Sequence, residues 1–140
     1  MFIRSLITGL ATSLMLVSNV AAASQPTEYP AILVEVTNTS HLCQRFDAVG
    51  EEMRRPTVDH PGSQSGGLIK VPPYLQRDAA PGATVTFEGL NGQYAMLWAS
   101  SHETANCTSK MTGHGYTYDG KIQRAKFLFD GSAFHFVKNL

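Results

Sequence analysis

The chain has 140 residues, with eleven Lys and Arg against eleven Asp and Glu and only 16% charged residues in all. That length holds one ordinary domain with one core. The neutral balance lacks the basic excess of most nucleic-acid binders, so attachment to nucleic acid or an anionic surface by bulk charge is disfavoured.

The first element is an export signal. Arg4 gives a positive start, an apolar run extends from Leu6 to Val17, and the stretch closes on Ala21-Ala22-Ala23 before Ser24. That order describes a cleavable secretory signal peptide, expected over residues 1–23, with a single β domain over 24–140. Ser13, Ser18 and Asn19 interrupt the run before the roughly 20 apolar residues that a membrane crossing needs. No later stretch is as apolar, so no transmembrane segment is expected and the destination is secreted or periplasmic. Cleavage removes one basic residue, Arg4, and no acidic one, leaving ten basic against eleven acidic side chains.

Residues 24–30 read as an irregular leader, followed by a strand over Ala31–Thr37 that Asn38 ends. Cys43 and Phe46 follow in a segment without a clear pattern. From Gly50 to Gly67 the chain is almost wholly polar, with Pro56 and Pro61, and predicts one long loop. Leu68–Val71 predicts a short strand stopped by Pro72-Pro73, which also resembles a proline-rich ligand but lacks a tyrosine at position 75. Pro81-Gly82 marks a turn. Thr84–Glu88 alternates, with Val85 and Phe87 on one face, and Leu90-Asn91-Gly92 predicts a hairpin into Gln93–Ala99. In that return strand Tyr94, Met96 and Trp98 share one face while Ala95, Leu97 and Ala99 share the other. Both faces are apolar enough for a central, doubly covered strand.

A polar loop is expected over Ser100–Asn106. Asp119-Gly120 and Asp130-Gly131 signal turns around a segment carrying Ile122, Phe127 and Phe129, and Phe134 and Phe136 share a face of the last strand. Repeated turn signals without helical periodicity predict an all-β fold, a small antiparallel β-sandwich or flattened barrel of about six to eight strands. The core is expected to draw on Val85, Phe87, Tyr94, Met96, Leu97, Trp98, Phe127, Phe129, Phe134 and Phe136.

Cys43 and Cys107, the two cysteines, both lie in the exported part. An oxidising compartment favours their pairing. A bridge between positions 64 apart is worth about 4 kcal/mol in the chain-entropy picture.

Complete catalytic or metal motifs are missing. Gly62-Ser63-Gln64-Ser65-Gly66 has Gln64 where a nucleophile elbow needs serine. His102-Glu103-Thr104-Ala105-Asn106 has Asn106 where a zinc-protease helix needs its second histidine. Cys107, Met111 and His114 are soft ligands, but in the wrong order for a blue-copper site, and a bridged Cys107 offers no thiolate. Asp59-His60 and His102-Glu103 set an acid beside an imidazole, but neighbours on a strand point to opposite faces, so neither pair is a dyad by itself. Asn38-Thr39-Ser40 and Asn106-Cys107-Thr108 match the glycosylation acceptor pattern.

The reading that follows is a non-catalytic binding module, a recognition or effector domain, without cofactor or metal. Its expected partner is an extracellular or periplasmic protein, glycan or lipid. Long loops usually carry function, which points to Glu51, Glu52, Arg54, Arg55, Asp59 and His60 as the binding set. One alternative is a small secreted hydrolase or nuclease built on His60, His102, Asp59, Glu103 and His114. Another is a periplasmic metal-binding protein using histidine and methionine.

Overall fold

The computed structural model describes residues 29–53 and 67–140; the signal peptide expected over 1–23 lies outside them. The described residues form eight strands: β1 (Leu33–Asn38), β2 (Gln44–Met53), β3 (Leu68–Ala79), β4 (Thr84–Phe87), β5 (Tyr94–His102), β6 (Met111–Ile122), β7 (Arg124–Phe129) and β8 (Phe134–Asn139). They make two four-stranded sheets, in the orders β4-β1-β7-β8 and β3-β2-β5-β6. The fold is a small β-sandwich stapled by one disulfide, mostly antiparallel as expected. The exception is β1, which runs parallel to β7 from Leu33 opposite Arg124 to Asn38 opposite Phe129.

Alternation decides which side chains face inward. Val34, Val36 and Asn38 of β1, and Ala125, Phe127 and Phe129 of β7, point to the interior. The facing sheet contributes Phe46 and Ala48 from β2 and Ala95, Leu97 and Ala99 from β5. Small alanines and large phenylalanines are thus mixed across the two inner faces, as interdigitating sheets require. Phe129 is fully buried in the aromatic packing, with ring centroids 5.6 Å from Phe46 and 4.7 Å from Phe134. Full burial of such a side chain contributes about 1.5–3 kcal/mol.

Several expectations are corrected. The segment around Cys43 and Phe46 is β2, a central strand, and β2 continues to Met53, so the polar stretch begins in a strand. Pro72-Pro73 does not stop β3: the register against β2 shifts between Val49 and Gly50, and pairing continues to Ala79. Prolines are tolerated there because β3 is an edge strand and the shift removes them from the ladder. The Leu90-Asn91-Gly92 turn is not a hairpin, since β4 pairs with β1 and β5 with β2; it carries the chain from one sheet to the other. Glycine is required at that crossing. Gly92 has φ +103, and a Cβ on Gly50 would meet the backbone oxygen of Asn91. Asp119-Gly120 lies within β6, whereas Asp130-Gly131 makes the expected hairpin from β7 to β8. The Ser100–Asn106 loop starts later than expected, because β5 runs on to His102.

The apolar pattern of β5 is real, but only one face is covered by another layer. Leu97 is buried in the core, while Tyr94, Met96 and Trp98 are half-buried on the outer face of the second sheet. Lys70 covers part of that face, its ammonium 5.8 Å from the Trp98 ring centroid. Two sheets have only two inner faces, and the sequence cannot say which of two apolar faces wins the core. Phe87, Leu97, Phe127 and Phe129 are buried as expected; Val85 and Phe134 are partly buried. Phe136 is 52% exposed.

Candidate functional site

The two ends of the sandwich differ in character. At one end Cys43 and Cys107 are bridged as expected, with Cα atoms 5.2 Å apart. The bridge ties the loop after β5 to the start of β2. Cys43 N–H donates to Thr104 O (3.0 Å) and His102 N–H to Cys43 O (2.9 Å). His102 is enclosed, 2% exposed. Its Nδ1 lies 2.9 Å from Ser109 O and its Nε2 3.3 Å from Asp78 Oδ1. Asp78 also receives Arg45 through Nε (2.9 Å) and Nη2 (3.2 Å). Arg45 holds the Asp78 carboxyl below its ordinary value, helped by the His102 hydrogen bond and opposed by burial. A general base must reach a substrate proton, and both His102 nitrogens already face protein oxygens. The cluster braces the disulfide loop against β2 and β3.

Nearby polar groups are similarly committed. Asn38 is fully buried; its Nδ2 donates to Leu42 O and Ala79 O, both at 2.8 Å, and its Oδ1 accepts from Ser40 N–H and Oγ–H. This glycosylation pattern is therefore shut inside the fold, while Asn106 is exposed. Gln44 accepts from Ser101 Oγ (2.7 Å). Among the described residues no buried side-chain nitrogen or oxygen lacks a partner, as close packing demands.

The opposite end is open. It gathers the start of β5, the end of β6, the start of β7 and the end of β8 around a hollow of about 590 Å³. Tyr94, Tyr118, Phe127 and Phe136 supply aromatic surface, and Lys121, Arg124 and Asn139 supply polar groups. Tyr118 and Phe127 are held edge to face at 4.7 Å, and Phe127 meets Phe136 at 6.0 Å. Lys121 places its ammonium 5.1 Å from the Tyr94 ring centroid. Arg124 donates from Nη1 to Ala31 O (3.1 Å) and from Nε to Leu140 O (3.3 Å), which fixes its guanidinium at the rim. A smaller hollow of about 250 Å³ shares Tyr94, Tyr118 and Lys121 and adds Glu51, Leu68, Met96 and Asp119.

The sequence-predicted residues divide sharply. Arg54, Arg55, Asp59 and His60 lie outside the described residues, as does the Gly62–Gly66 stretch. Glu51 lines the smaller hollow; Glu52, also on β2, is partly buried and pairs opposite Ile69. Glu103 is exposed in the disulfide loop and His114 exposed on β6. No histidine lines either hollow, and among the described residues no group of three or more His, Cys, Asp or Glu is placed to hold a metal. Sequence reasoning missed Tyr118, Lys121, Arg124 and Phe136. The available signal was three cations, Lys121, Arg124 and Lys126, inside the aromatic-rich 116–136 segment of a weakly charged chain, and the assignment of a turn at Asp119-Gly120 concealed it.

No protein-family profile matches the chain, and no curated protein or solved structure matches it.

Proposed function

We propose that this chain is an exported binding module that holds a ligand of small-molecule size in the open-end cleft, by recognition and without covalent chemistry. The observation that carries the reading is the cleft itself: about 590 Å³ of aromatic-walled space with a few polar groups at its rim. Ligand sites are typically concave, mostly apolar and about 300–1,000 Å³ in volume, with sparse polar groups that orient the ligand. Glu51, near the end of β2, stands at the same end of the sandwich. The signal-peptide pattern and the disulfide support a secreted or periplasmic setting, where a stapled scaffold resists reduction. Among the described residues no helix is long and apolar enough to cross a membrane.

The test is a thermal-shift screen of the exported protein against a library of apolar and amphipathic small molecules. A ligand at about 100 times its dissociation constant adds about 2.7 kcal/mol, a rise of several degrees in Tm. Compounds that raise the wild-type Tm are expected to lose their effect on Phe136→Ala, whose exposed ring can be removed with little loss of stability. Hits that stabilise Phe136→Ala and Tyr94→Ala as fully as wild type place binding elsewhere and overturn the proposal.

A further inference from the structure

Resting on that reading of the cleft, we infer that its ligand is an amphipathic organic acid, with an apolar body against Tyr118 and Phe136 and one anionic head group on Lys121. The argument is one of charge complementarity. The larger hollow is lined by two cations, Lys121 and Arg124, and by no acidic side chain, in a chain whose charges balance overall. Arg124 spends two of its five N–H donors on the main-chain oxygens of Ala31 and Leu140. Glu51 and Asp119 line the smaller hollow, but among the described residues no side-chain carboxylate comes within 4.0 Å of the Lys121 ammonium.

Lys121 is instead held over the Tyr94 ring. Such a cation–π contact fixes the ammonium without neutralising it. An anion arriving from the larger hollow therefore meets a pre-positioned donor, and pre-positioning lowers the entropy lost on binding. Tyr118 and Phe136 line the same hollow, and aromatic surface of that kind suits an apolar body and rewards its removal from water. The size of the hollow limits the occupant to a single small molecule.

A matched series tests this: 2-naphthoate, 2-naphthamide and 2-naphthylmethylammonium, titrated into the exported protein and into Lys121→Met and Lys121→Arg by calorimetry. Decanoate and decanamide run beside them distinguish an aryl from an alkyl acid. The acid is expected to bind about tenfold tighter than its amide, the margin of one charge-assisted hydrogen bond, with the ammonium weakest. Lys121→Met should erase the preference for acid over amide without weakening the amide, and Lys121→Arg should keep it. Lys121 is exposed, so neither variant threatens folding. If acid and amide bind equally in both series, or Lys121→Met weakens both alike, the inference about the head group is overturned while the cleft stands. If nothing in either series binds, or binding survives Phe136→Ala unchanged, the cleft reading itself fails.

Discussion

Removing Asp78 separates the contributions of two partners that differ in burial. Its contacts with Arg45, at 2.9 and 3.2 Å, join side chains that are each about a third exposed, 31% and 32%. Solvent screening limits such a pair to about 1 kcal/mol. His102 is different: at 2% exposure, loss of Asp78 leaves Nε2 buried without a partner, a penalty of about 1–3 kcal/mol. Asp78→Ala should therefore cost about 3 kcal/mol and Arg45→Ala about 1 kcal/mol or less, on the same arithmetic. Urea unfolding followed by Trp98 fluorescence measures both. The pH dependence gives a second check. The folded-state value of Asp78 lies below its ordinary 3.8, so its contribution is complete above about pH 4 and is lost as pH falls through the lowered value. The deficit of Asp78→Ala should accordingly shrink between pH 7 and pH 3. Equal costs for Asp78→Ala and Arg45→Ala, or a deficit independent of pH, would refute the assignment of Asp78 as the brace on His102.

Phe129→Ala should cost about 3–5 kcal/mol, as large cavities in cores do, while Phe136→Ala should stay near the surface value of about 0.5 kcal/mol; comparable urea midpoints for the two would contradict the packing. Gly50→Ala should fail to give folded protein, because its Cβ collides with the Asn91 backbone at the crossing between sheets, and a cooperative melt near wild type would disprove that approach. Mass measurement under alkylation should find both cysteines blocked until reduction, and losing the bridge should cost about 4 kcal/mol; two freely alkylated thiols in exported protein would rule the bridge out.

The positions of β1, β4, β5 and β8 were legible in the sequence, because β-branched and alternating runs such as Thr84–Phe87 and Phe134–Val137 are local signals, whereas β2 and the later half of β3 carried none that could be read. The pairing partners were not legible. The Asn91-Gly92 turn has hairpin chemistry, yet it changes sheets, so that Phe87 and Leu97 enter one core from different sheets. The parallel pairing of β1 with β7 joins segments about ninety residues apart in register, and nothing local encodes it. Burial of Trp98 was misjudged for a related reason: β5 is apolar on both faces, and only the assembled sandwich shows which one meets the other sheet. The disulfide was legible because two thiols leave a single intramolecular pairing. The cleft was not, because Tyr94, Lys121, Arg124 and Phe136 come from four strands and meet only where the sheets end. Histidines drew attention as chemically versatile residues, but His102 proved to be packed as a brace.

Backbone amide shifts of the isotopically labelled exported protein, titrated with a compound that raises its Tm, test the central claim most directly. Binding in the open-end cleft predicts that the perturbed amides cluster at Tyr94, Tyr118, Lys121–Ala125 and Phe136, with those of the Cys107 loop and of His102 unmoved. A cluster centred instead on the disulfide end, around His102 to Lys110, would contradict it.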